Sequence, residues 1–339
     1  MTRHVWKFAL LSTLATACGN STSQPLCSEA TCSDARTVDA TAMADACGSV
    51  RFQASPVTPS IQLVIDRSSS MNFAFGETGP SRWTALKAAL TGDAGVVTRL
   101  EPRAFFGVTI YPAPGETCAP FDQTASRTQN AASGIRELLR ARGPSGETPT
   151  GAAIAQATAS FMGAGAPPPN SPAFIVLATD GTPNSCPGAA NEYAGRDGTL
   201  RAVREAYAAG VHVLPLALGL NGTALAHLQD VANAGSGVAA GGPDATVYRG
   251  DSPEQLQQAF EAIIGAVISC TFTIDGRVDP TNAQQNGTVT LNGRPLRSGS
   301  DWRVVDETTL ELLGTACDEL KAQANPEVVA TFTCEAIVE

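Results

Sequence analysis

Ile61-Gln-Leu-Val-Ile65 is a run of mostly branched apolar residues without clean alternation, and it stops abruptly at Asp66-Arg-Ser68-Ser-Ser70. A strand buried on both faces reads this way. Similar runs recur at Phe105–Tyr111, Ala173–Ala178 and Val211–Leu218. Helical spacing lies between them: Trp83, Leu86, Leu90 and Val97 mark Ser81–Leu100, and further helices are predicted over Ala131–Arg142, Thr150–Met162, Thr199–Ala209 and Thr223–Ala234. Ser252-Pro253-Glu254 opens a last helix running to Ile268, with a hydroxyl at the cap and Pro just inside. Shorter signals predict an antiparallel edge strand at Cys118–Thr124 and a last short strand at Ala245–Tyr248. This alternation predicts an α/β unit over 51–269, a doubly wound, mostly parallel sheet flanked by helices. From 270 to 339 the pattern changes. Thr and Val alternate in Gly287–Gly293 and Val328–Thr333 among Asn-Gly and Asp-Gly turns, which predicts a small β-rich domain.

The first 50 residues have neither pattern. Arg3 and Lys7 precede the short apolar run Phe8–Ala17, as in a secretory signal peptide over 1–17 that is too short to span a membrane. Ala15-Thr16-Ala17-Cys18 resembles a bacterial lipobox, with Leu one place early, which implies cleavage before Cys18 and lipid on its sulfur. Gly19-Asn20 lacks the usual inner-membrane retention Asp, which favours the outer membrane of the cell envelope. Residues 18–50, rich in Ser, Thr, Ala and Asp, read as a flexible tether carrying Cys27, Cys32 and Cys47.

Composition narrows the function. The net charge of −10 lacks the basic footprint that nucleic acid demands. Nine cysteines occur, and with Cys18 lipidated an even number remains, which in an exported chain points to disulfides. Zinc is disfavoured, since no Cys-x-x-Cys pair exists and there are three histidines, one inside the signal.

Candidate chemistry gathers in three turns. Asp66-x-Ser68-x-Ser70 follows the first buried strand, Gly146-Glu-Thr148-Pro-Thr150-Gly151 precedes an Ala-rich helix, and Thr179-Asp180-Gly181 follows the strand Ala173–Ala178. These offer hard oxygen donors, suited to Mg²⁺ or Mn²⁺ ahead of Ca²⁺. Taken singly, Asp180-Gly181 is a turn and Thr148 a helix cap, with Thr150 the better-placed cap. Together, over residues 58–268, they resemble the von Willebrand factor type A domain family with its metal-ion-dependent adhesion site. The resemblance implies that Ser68, Ser70 and Thr148 contact a cation directly, and that Asp66 and Asp180 hold it mostly through water. It also implies that a protein partner's Asp or Glu completes the shell. The C-terminal segment, with Asp301-Trp302 and Gly314-Thr-Ala-Cys317, looks like the extension of such domains in myxobacterial-type lipoproteins; Trp302 is expected in its core rather than at a binding surface.

Cys118 and Cys186 fall in loops on the metal-bearing edge and are expected to pair. Cys47 and Cys270 flank the α/β unit and form the second expected pair, which leaves Cys27–Cys32 and Cys317–Cys334. An enzyme is disfavoured. His212 and His227 lie in separate elements, the Gly146–Gly151 turn lacks a phosphate-loop Lys, and Ser68 stands where a dehalogenase-type phosphatase needs a second Asp. The expected function is an envelope lipoprotein that binds a protein partner. Alternatives are a scaffold or substrate-recruiting subunit of an envelope complex, then a hydrolase in the C-terminal segment.

Overall fold

In the computed structural model, which describes residues 49–53, 55–115, 121–124, 126–184, 193–323 and 326–338, the chain enters through β1 (Val50–Gln53) and β2 (Ser55–Pro56). The apolar run forms β3 (Ser60–Asp66), followed by α1 (Arg82–Thr91), α2 (Val96–Leu100), β4 (Phe105–Tyr111) and β5 (Asp122–Gln123). Next come α3 (Ala132–Arg140), α4 (Thr150–Ala159), β6 (Ala173–Thr179), α5 (Gly195–Ala208), β7 (Val211–Leu218), α6 (Gly222–Ser236), β8 (Tyr248–Gly250) and α7 (Pro253–Val267).

The central sheet has the order β5-β4-β3-β6-β7-β8, parallel throughout except for the antiparallel edge β5. Every residue of β3 is buried. Ile61, Leu63 and Ile65 point to one face, where Leu86 and Leu90 of α1 and Phe260 and Ile263 of α7 cover them. Val64 points to the other, into a core with Ile154 of α4 and Val203 of α5. Two covered faces explain why the strand sequence does not alternate. Truncating Leu63 to Ala would cost about 2–5 kcal/mol.

Connections run from β3 outward to β4, then back across β3 to β6. The order of connection therefore reverses beside β3, and the crevice outside the carboxyl ends of β3 and β6 is the place such folds bind ligands.

Three boundaries differ from the sequence expectation. Ser81–Leu100 is not one helix: Gly92–Gly95 separates α1 from α2, with the Gly92 N–H closing α1 on Ala88 O. The last strand of the sheet lies at Tyr248–Gly250 rather than Ala245–Tyr248. The segment after 270 also contains two helices, α8 (Pro280–Asn286) and α9 (Gly314–Ala322), beside β9 (Thr271–Thr273), β10 (Thr288–Leu291), β11 (Arg294–Leu296), β12 (Trp302–Asp306), β13 (Thr309–Leu312) and β14 (Val328–Phe332). α8 opens with an Asp279 cap and Pro280 inside it, a start signal that the surrounding β alternation masks.

β1 and β2, expected to lead into the α/β unit, pair instead with the C-terminal strands. The two further sheets run β1-β14-β10-β11 and β12-β13-β9-β2. They share one core with Phe52, Phe272, Leu291, Trp302 and Phe332, and Trp302 is fully buried within it. The residues 47–339 form one compact unit. Arg103, before β4, donates through Nη1 to the carbonyls of Lys321 and Gln323 at 2.8 Å each, tying the end of α9 to the α/β layer.

The disulfide expectations are corrected here. Cys270 bonds Cys317, their Cα atoms 5.5 Å apart, so neither Cys47–Cys270 nor Cys317–Cys334 forms. The cause is α9, which brings Cys317 back over the start of β9. Cys334 is itself disulfide-bonded. Cys18, Cys27, Cys32, Cys47, Cys118 and Cys186 lie outside the described residues, as do the signal and the tether up to residue 48; Val50, assigned to the tether, opens β1. Among the described residues no helix is long and apolar enough to cross a membrane.

Candidate metal site

Asp66 is the last residue of β3, and Asp180 follows the last residue of β6, its sheet neighbour. Parallel pairing alone puts the two carboxylates at the same sheet edge. The turn after Asp66 then folds back on it: the Ser68 N–H donates to Asp66 Oδ1 at 2.7 Å. Ser68 Oγ and Ser70 Oγ are 3.0 Å apart, and Ser70 Oγ donates to Asp180 Oδ1 at 2.6 Å. A chain of hydrogen bonds, through the Ser68 residue and the Ser70 hydroxyl, thus joins the two acids.

Thr148 arrives from the crossover between β4 and β6, two residues ahead of α4. Its N–H donates to Asn184 Oδ1 at 2.7 Å and its carbonyl accepts from the Asn184 N–H at 3.0 Å. Thr148 Oγ1 and Ser70 Oγ both lie within 4 Å of the point a Cβ would occupy on Gly181. All five residues expected at the site are therefore brought together. Thr150, expected as a possible cap, instead lies inside the first turn of α4, which has no side-chain cap; its hydroxyl meets Tyr111 Oη at 3.3 Å.

Four residues that the motif does not name hold this arrangement. Arg67, the variable position after Asp66, is buried and donates to Pro112 O and Gly143 O at 2.7 Å each and to Ser145 Oγ at 2.8 Å. One guanidinium so fastens its own turn to two other loops. Two backbone bonds, Ser145 N–H to Arg67 O at 2.7 Å and Ser69 N–H to Gly146 O at 3.1 Å, lace the first turn to the second. Thr179, which ends β6, donates to Asp66 Oδ2 at 2.6 Å. Asn184 anchors Thr148 as described. Arg82, the first residue of α1, donates to Asp180 Oδ2 at 2.8 Å. An Arg directly after a capping Ser was the only sequence signal for it, and that pattern is common.

The electrostatics are unbalanced in favour of a cation. Asp66 is 0% exposed, and its pKa is pushed up to about 7, first by burial and then by the negative charge of Asp180; the Thr179 and Ser68 hydrogen bonds oppose the rise. Burial drives the Tyr111 hydroxyl well above its ordinary range, so it stays a neutral neighbour. Two buried acids bridged by hydroxyls are a poor resting place for negative charge and a good one for a hard divalent ion. Among the described residues no group of three or more His, Cys, Asp or Glu could hold a metal. A hydroxyl-led site with two carboxylates falls outside that class. The donor set fits the cation that the motif implies.

The two histidines among the described residues lie away from this site. His227 is buried in α6, where burial lowers its pKa, and His212 on β7 meets Phe174 in a tilted contact and Tyr207 edge-on, at centroid distances of 5.6 and 5.4 Å.

Among solved structures, the fold resembles the pilus adhesin SpaC from Lactobacillus rhamnosus GG, with a TM-score of 0.51 and 15% identity over 83% of this chain and 40% of that one. The chain thus spans less than half the length of that adhesin. The conserved hypothetical protein BatB from Bacteroides thetaiotaomicron aligns with a TM-score of 0.44 and 19% identity, over 62% of this chain and 98% of that one. Proximal thread matrix protein 1 from the mussel byssus, with a zinc-occupied MIDAS motif, aligns with a TM-score of 0.42 and 18% identity, over 65% and 50% of the two chains. No curated protein matches the sequence. The model of the von Willebrand factor type A domain matches residues 60–262, more than half of the chain and the whole span from β3 into α7. The chain therefore belongs to the von Willebrand factor type A domain family.

Proposed function

We propose that this protein binds a protein partner through a divalent cation held by Asp66, Ser68, Ser70, Thr148 and Asp180, with Mg²⁺ the expected ion and Mn²⁺ a substitute. The observation that carries this reading is the hydrogen-bonded chain from Asp66 through Ser68 and Ser70 to Asp180, with Thr148 at the same rim. A hard cation bound there supplies a positive centre that attracts a carboxylate of the partner. The protein's own residues do the remaining work: Arg67 and Asn184 position the turns, and Thr179 orients Asp66. Its role is binding rather than catalysis.

The proposal extends to location. Cleavage before Cys18 and lipidation of its sulfur would hold the protein on the envelope, with the outer membrane favoured. Stable anchoring takes more than one acyl chain.

Capture of envelope proteins in Mg²⁺ and in EDTA tests the reading. Mg²⁺-dependent recovery of the same partner, lost in Asp66→Ala, is expected. Equal recovery in EDTA, or unchanged metal affinity in Asp66→Ala, would defeat it.

A further inference from the structure

Resting on that metal-dependent reading, we infer that Arg82 is a built-in counter-charge that weakens the site's hold on its cation and keeps the loaded site positive. Arg82 Nη1 donates to Asp180 Oδ2 at 2.8 Å; the Asp180 side chain is fully buried and that of Arg82 is 18% exposed. The guanidinium is wedged between the ends of β6 and β7. A Cβ on Gly219, just past β7, would lie 3.1 Å from Arg82 Nη2 and 3.4 Å from Nε. Gly219 has a φ of +63°, so it makes this room at no steric cost to itself.

The group is also held from behind. The Arg82 N–H donates to Phe73 O at 2.9 Å, and an Ala74–Ser81 bridge closes the intervening loop. The Phe73 ring, 64% exposed, lies 5.9 Å from the guanidinium carbon. Arg82 Nε is buried without a hydrogen-bond partner. A flexible surface Arg would avoid that cost by turning to water. Asp180 and the cleft at Gly219 keep it in place.

A fixed cation on one of two site carboxylates opposes the entry of a divalent ion and attracts anions. With Asp66 and Asp180 ionised, the site with Arg82 carries one net negative charge when empty of metal and one net positive charge when loaded. Without Arg82 the loaded site would be neutral. The same residue thus trades metal affinity for attraction to an acidic partner group, a property the five motif residues do not encode.

Isothermal titration of Mn²⁺ into the full chain at pH 8 tests this on wild type, Arg82→Gln and Arg82→Lys. Gln removes the charge, and Lys keeps it. About tenfold tighter Mn²⁺ binding is expected in Arg82→Gln, with Arg82→Lys close to wild type. Arg82→Met, which retains the stem against Phe73, gives the same direction should Gln fail to fold. A merely structural role predicts the reverse, since loosening Asp180 would weaken binding. If wild type binds Mn²⁺ and the neutral variants bind it no more tightly, the counter-charge inference is overturned while the metal site stands. If no variant and no wild type binds Mn²⁺, the metal reading itself falls, and this inference with it.

Discussion

Ser70 Oγ donates to Asp180 Oδ1 across 2.6 Å, although 110 residues separate the two in the chain. The bond closes only because β3 and β6 are neighbours in register, Ile65 beside Ala178. A local turn motif and a distant strand end become one site through sheet pairing, and the consequences of that closure are measurable.

Asp66→Asn removes a buried carboxyl that is partly ionised at neutral pH in the metal-free protein and whose charged form burial and Asp180 disfavour. At neutral pH in EDTA this variant is expected to melt above wild type, because an uncompensated buried carboxylate costs stability. In excess Mg²⁺ the order reverses: wild type gains about 2.7 kcal/mol at a metal concentration a hundredfold above Kd, and the variant gains nothing. Thermal melts with and without Mg²⁺ check both halves.

The metal-free protein also has a predictable pH response. Asp66 titrates near 7 in the folded state against 3.8 for the ordinary side chain. Between those values the folded protein keeps a proton that the unfolded chain has lost, so stability is fully present below about pH 4 and falls as pH rises toward 7. Urea midpoints in EDTA from pH 4.5 to 7.5 are expected to fall more steeply for wild type than for Asp66→Asn. Identical slopes would contradict the raised pKa.

Cys270–Cys317 closes a loop with a sequence separation of 47. In the chain-entropy model such a bond is worth about 4 kcal/mol. The double variant Cys270→Ser/Cys317→Ser is expected to lose up to that amount in denaturant unfolding, with unchanged Mn²⁺ affinity, because the bond lies in the C-terminal layer and not at the β3 and β6 ends.

Arg103 supplies two charge-assisted bonds at the end of α9, to the carbonyls of Lys321 and of the capping Gln323, where a cation also suits the helix dipole. Arg103→Ala is expected to cost about 1–3 kcal/mol. Amide exchange should quicken first in α9 and little in β3, whose seven residues are buried on both faces.

The sequence by itself determined the layer pattern and the ligand types. Unalternating runs such as Ile61–Ile65 mean strands covered on both sides, and oxygen donors at Asp66, Ser68, Ser70, Thr148 and Asp180 lie in turns whose form their residue types dictate. Those are local properties, set by side-chain branching and turn chemistry. The tertiary structure alone decided the rest. It paired β1 with β14 and β2 with β9, strands far along the chain, joined Cys270 to Cys317, and swung Arg82 and Thr179 onto the two carboxylates. Each of these depends on which surfaces meet in space, and long-range contact leaves no periodic trace in the chain because a strand edge, a thiol or a guanidinium looks the same in sequence whatever it will face.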